Sequence, residues 1–166
     1  LRDEGITDFV VYLRRGNVDD KVAEKELLDN IQSKNLSQFM IYQEYIYLEF
    51  EELRAIWEEM DCGLQIARND AFSTTFLEPM LLEKELIATN IRLYATFEEK
   101  YQLNLELVEL EPKDIAKEMK KKILRKGASS EELKKRAEIV KRDFNFENNI
   151  PKMVQFFQDE IKRKCK

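Results

Sequence analysis

The sequence predicts an all-α fold, a helical bundle of about seven helices organised on a long antiparallel pair, and three observations carry that expectation. Apolar residues recur at intervals of three and four along most of the chain. Only 4 Gly and 3 Pro interrupt 166 residues. With 37% of residues charged and 43% hydrophobic, the balance is that of amphipathic helices around one core, so residues 1–166 read as a single helical domain.

The elements follow from the spacing. Ile6, Phe9, Val10 and Leu13 predict a first short helix ended by Gly16-Asn17. Asp19 or Asp20 caps a second, whose stripe is Val22, Ala23, Leu27 and Ile31, and Asn35 closes it before Ser37 offers another cap. From there Tyr42, Ile46, Phe50, Leu53, Trp57, Met60, Leu64, Ala67 and Ala71 step by three or four, the seam of a long helix over 37–72. Gly63 inside that run marks a close helix crossing or a kink. After Ser73-Thr74-Thr75, Pro79 sits in a first turn, and Leu82, Leu86, Leu93, Phe97 and Tyr101 form the inner face of the second long helix, over 79–104. Leu103, Leu105 and Leu107 alternate, which reads as a fraying helix end before Pro112, with a short strand as the alternative. Three shorter helices finish the chain: Ile115, Met119 and Ile123, stopped at Gly127; the capping box Ser129-x-x-Glu132 with Leu133, Ala137 and Val140; and a helix opened near Pro151 with Val154, Phe157 and Ile161.

Charge is distributed unevenly. Residues 1–112 hold 11 Lys and Arg against 24 Asp and Glu, a net of −13, and residues 113–166 hold 17 against 9, a net of +8. An acidic stretch over 1–112 and a basic helical stretch over 113–166 therefore make a charge-polarised chain. The basic residues either dock on the chain's own acidic half, or face phosphates or an acidic protein. For nucleic acid, the candidate contacts are Lys120, Lys121, Lys122, Arg125, Lys126, Lys134, Lys135, Lys141 and Arg142.

The absence of His removes Ser-His-Asp and Cys-His catalysis, HExxH zinc sites and Glu-x-x-His di-iron bundles. Cys62 and Cys165 lack CxxC spacing, and the four glycines form no phosphate loop. Glu49, Glu52, Glu58 and Asp61 have spacings that suit a magnesium site, but Glu83, Glu85, Glu98 and Glu99 on the neighbouring helix are not placed inward to complete it, so these carboxylates read as solvated faces. The chain is expected to be non-enzymatic and to use no cofactor or metal. No apolar run reaches a membrane span, and Leu1-Arg2-Asp3-Glu4 lacks a signal-peptide pattern, so no membrane is expected; the protein is read as soluble and intracellular, in cytoplasm or nucleus. The segment Phe39 to Phe50 is apolar on more than one helix face, which suits a central buried helix or a second face for a partner; Tyr45, Tyr47 and Leu48 fall away from the seam. The functional expectation is thus a helical protein-interaction or scaffold module within a larger assembly, with another protein as partner and nucleic-acid binding by the basic helices as the alternative.

Overall fold

The computed structural model describes residues 1–2, 5–14, 20–44, 47–124 and 127–164. It overturns the all-α expectation. Two small parallel sheets are flanked by helices, and the chain is a mixed α/β fold whose described residues fall into two compact units, Leu1–Ala55 and Ile56–Lys166.

The first unit is a strand–helix–strand crossover. Strand β1 (Val11–Arg14) pairs in parallel with β2 (Met40–Gln43), in the register Val11↔Met40, and α1 (Lys21–Ser33) carries the chain between them. Parallel strands need such a crossover because a two-residue turn cannot return the chain to the same end of the sheet. Asp20 caps α1 by accepting from the amide of Ala23 at 2.9 Å. Asn35, left-handed at φ 51°, ends it, as its short polar side chain permits. Ile31 and Phe39 are buried, and Phe9 stacks on Phe39 at 5.2 Å. A short 3-10 turn at Ser37–Phe39 leads into β2, and α2 (Phe50–Glu59) follows.

The second unit is a βαβαβ sheet. Strands β3 (Cys62–Gln65), β4 (Glu85–Thr89) and β5 (Glu106–Val108) lie side by side in chain order, all parallel, with α3 (Thr74–Leu81) and α4 (Arg92–Tyr101) as the crossovers. After β5 come α5 (Pro112–Ile123), α6 (Ser130–Asp143) and α7 (Phe146–Lys164). Side chains alternate across a strand, so Leu86 and Ala88 enter a core with Phe76 and Met80 of α3, Tyr94 and Phe97 of α4, and Ile139 and Val140 of α6. Ile87, fully buried, points to the other face, where α5 packs on β4 and β5.

The long helix pair over 37–72 and 79–104 does not form. Its first member is divided among the 3-10 turn, β2, α2, β3 and a loop, and its second among the end of α3, β4 and α4. The first predicted helix is likewise replaced by β1. A strand covered on both faces is apolar at successive positions, and four or five such residues fit a helical stripe as well as a strand. Leu103 to Leu107 take the alternative: the alternation belongs to β5 and its approach. Gly63 marks a close approach of strand and helix: a Cβ there would lie 2.5 Å from Pro79 Cγ and 3.2 Å from Trp57 Cη2. Pro79 stands inside α3, not in its first turn, and α7 starts at Phe146, five residues before Pro151.

Candidate functional site

Ligands of open parallel sheets sit outside the carboxyl ends of the strands, where the connections and helix N-termini converge. In the second unit that edge is formed by Gln65, Thr89 and Val108. The connection 66–73 is held there by polar contacts. Thr89, buried at the end of β4, accepts from the Ala67 amide at 3.0 Å and donates to the Ala67 carbonyl. One carboxylate oxygen of Asp70 accepts from the Tyr94 hydroxyl, from Ser73 Oγ at 2.8 Å, from the Ser73 amide at 3.1 Å and from Gln65 Nε2 at 3.2 Å. Burial pushes the Asp70 carboxyl up, but these donors outweigh it and hold it down at about 2. Tyr94 is pushed up to about 12, by burial first and then by its anionic partner. Both charge states are thereby fixed near neutrality, Asp70 ionised and Tyr94 protonated.

Two local features follow from this network. Phe72 takes a left-handed backbone, φ 58°, which costs a bulky residue energy; its ring packs against Phe76, Tyr94, Phe97 and Phe144, which secures it. Ser73 is the N-cap residue of α3, yet its hydroxyl is turned to Asp70 and Gln65 instead of the first-turn amides. At α4 and α5 the N-cap residues are Ile91 and Glu111, and neither makes a side-chain cap bond. Three helices thus begin on one edge of the sheet without a side-chain cap. Arg68 and Arg92 are exposed in the connection after β3 and at the first residue of α4. Asn90 donates to Glu109 at 3.0 Å, joining the ends of β4 and β5.

The amino edge is built otherwise. Glu85 and Glu106 open β4 and β5, and Lys122 of α5 bridges them at 3.0 and 2.8 Å. Arg136 of α6, 0% exposed, reaches Glu85 at 3.4 Å and donates to the carbonyls of Leu103 at 3.0 Å and Asn104. Glu85 also accepts from the Ala128 amide, where α6 is capped by the full Ser129–Glu132 box. Burial opposes the charge on Lys122, but Glu106 and Glu85 raise its pKa above the ordinary value. Cys62, at the start of β3, is pushed up to about 12 by burial and is an inert thiol there.

This arrangement corrects the nucleic-acid expectation. The basic residues of 113–166 do not make one phosphate-facing stripe: Lys122 is nearly buried in its ion pairs, Lys121 bridges Glu118 at 2.6 Å, and Lys135 donates to the Gln102 carbonyl. Arg142 pairs with Asp143 at 2.8 Å, which with Tyr101 drives that carboxyl well below its usual range. Lys134 and Lys141 are exposed on α6, Lys120 is half-buried on α5, and Arg125 and Lys126 lie outside the described residues. Of the nine candidates, Lys121, Lys122 and Arg142 are thus engaged by acids and Lys135 by a carbonyl, and nothing among the described residues supports a charge-polarised binding surface. Nor is the chain an all-helical scaffold: Tyr47, 73% exposed, and Leu48, half-buried, stand in a connection between β2 and α2, and Tyr45 lies outside the described residues.

Of the acids considered for a metal, Glu52 accepts from the Glu49 amide at α2, Glu85 belongs to the ion pairs above, and Glu98 accepts from the amides of Leu103, Asn104 and Leu105. Among the described residues no group of three or more His, Cys, Asp or Glu is placed to hold a metal, and no helix is long and apolar enough to cross a membrane. Two hollows, of about 510 and 260 Å³, lie in the first unit. The larger is lined by α1 alone, so no second element encloses it. No family model, curated protein or solved structure matches the chain.

The helical spacing hides Asp70, because it runs through the connection 66–73, and hides Gln65, Thr89 and Tyr94, because it gives no sign that two strands end beside α4. The signal that locates the connection is local: Arg68-Asn69-Asp70 followed by Ser73-Thr74-Thr75 is turn and cap chemistry between two apolar runs.

Proposed function

We propose that the second unit binds a phosphate-bearing small molecule of the mononucleotide class at the carboxyl edge of β3, β4 and β5. The observation that carries this reading is the pair of helix N-termini, those of α3 and α4, left without side-chain caps on that edge, while α6, which starts at the other edge, is fully capped; α5 starts on the same edge but opens on Pro112, which has no N–H. Uncapped first-turn amides and the positive end of the helix dipole together suit an anion. At α3 the capping hydroxyl and the Ser73 amide both turn to the Asp70 carboxylate, and the first-turn amides of Thr74 and Thr75 are left without a side-chain cap. Three parallel strands in chain order joined by two helices is also the layout of one mononucleotide-binding half of a doubly wound sheet. Arg68 and Arg92 supply the neutralising charge. No glycine stands in the connection 66–73, so the phosphate meets helix amides and arginines in place of a wrapped glycine loop.

Calorimetric titration with nucleoside mono- and diphosphates, and with inorganic phosphate, tests the proposal. Saturable binding of the nucleotides, weakened when Arg68 and Arg92 are both changed to Ala and unchanged in Lys134→Ala, is the expected result. Absence of binding at millimolar ligand, or binding that Lys134→Ala weakens as much as the arginine changes, overturns it.

A further inference from the structure

Helix α7 carries an apolar strip that nothing in the second unit covers. Phe146, Ile150, Val154, Phe157 and Ile161 are 80, 47, 46, 57 and 62% exposed. With about 100° between successive residues, the last four fall within an arc of about 60°, and from Ile150 to Ile161 the strip is about 16 Å long. Unlike an exposed Leu here and there, four large side chains in one narrow strip mark a contact surface.

We infer that this strip pairs with the same strip of a second copy of the chain, as an antiparallel helix pair about a two-fold axis between Gln155 and Phe156. The sequence of α7 is self-complementary in that direction. Turned end for end, Ile150 stands beside Ile161 of the copy and Val154 beside Phe157. Glu147 and Lys162 lie on one flank of the strip, and a two-fold axis across an antiparallel pair brings each flank against the same flank of the copy, so Glu147 meets Lys162 at both ends. A parallel two-fold pair instead sets each flank against the opposite flank of the copy and keeps Glu147 and Lys162 at different heights, so it gains neither ion pair. A lipid surface fits less well, because Glu147, Asp159 and Glu160 offset the basic residues and Glu160 borders the strip. One helix face is small for an obligate dimer, so reversible association in the micromolar range is expected.

Sedimentation equilibrium of the full chain, from low-micromolar to submillimolar concentration, reads the dimer directly. Phe157→Glu, at an exposed position where folding does not depend on the ring, leaves a monomer throughout. Glu147→Lys and Lys162→Glu each weaken association by roughly three- to tenfold. The two changes combined restore it, since each reversed charge again meets its opposite. A wild-type chain that stays monomeric at every concentration overturns the inference, including one that instead binds anionic vesicles. A combined variant no tighter than the single ones overturns the antiparallel pairing.

Discussion

The two edges of the β3–β4–β5 sheet use polar residues for opposite purposes. At the amino edge, two acids and two cations close on one another beneath α5 and α6, and the loop carbonyls of Leu103 and Asn104 are taken up by Arg136. At the carboxyl edge Asp70, Ser73, Gln65 and Tyr94 bond among themselves in a way that leaves helix ends open. The first arrangement uses its donors to satisfy buried groups, and the second withholds a capping hydroxyl from a helix. In an α/β sheet the difference separates a region that holds the fold from a region offered to a ligand.

Substitutions at the two edges break or sharpen the contrast. The largest effect is expected from Arg136→Met, which removes the donor from the Leu103 and Asn104 carbonyls and leaves Lys122 as the cation beside Glu85; each buried acceptor left unsatisfied costs about 1–3 kcal/mol. Denaturant unfolding measures that loss, and a change below about 1 kcal/mol contradicts a structural role for the amino edge. Next comes Gly63→Ala, whose Cβ has no room against Pro79; overpacking of this kind costs about 1–3 kcal/mol, seen in the same assay.

Tyr94→Phe removes one donor from Asp70 and is expected to cost about 1 kcal/mol. It also moves the acid limb. Because Asp70 is held at about 2, below its ordinary 3.8, the stability it contributes is complete above the ordinary value and is lost as the pH falls towards 2. In Tyr94→Phe the Asp70 carboxyl titrates closer to its ordinary value, which a carboxyl-resolved NMR titration follows. The smallest effect on stability belongs to Arg68→Ala and Arg92→Ala, within about 0.5 kcal/mol, although both lower nucleotide affinity.

The helices that the sequence announces are those with their own punctuation. The Asp20 cap and Asn35 stop bound α1, Pro112 opens α5, and Ser129-x-x-Glu132 opens α6. The strands carry no such marks. Met40-Ile41-Tyr42-Gln43 and Glu85-Leu86-Ile87-Ala88-Thr89 are too short for period two to be separated from a helical stripe, and the residues beside them happen to extend that stripe. A parallel sheet is also non-local: β3 is completed by β4, whose first residue lies 23 positions later in register, and no local pattern encodes that pairing. The candidate site was lost with the strands, because its residues gain meaning only once three strand ends are side by side. Arg136 shows the same limit, since its place in a basic cluster gives no sign that it is buried.

The central claim, that ligand binding belongs to the carboxyl edge, is tested most directly by backbone amide NMR of the chain titrated with a nucleoside diphosphate. The account predicts that the amides of Arg68, Thr74, Thr75, Asn90 and Arg92 shift together along one saturation curve while those of Glu85, Glu106 and Ala128 stay in place. Shifts centred on the amino edge or on α1, or no shift at all, contradict it.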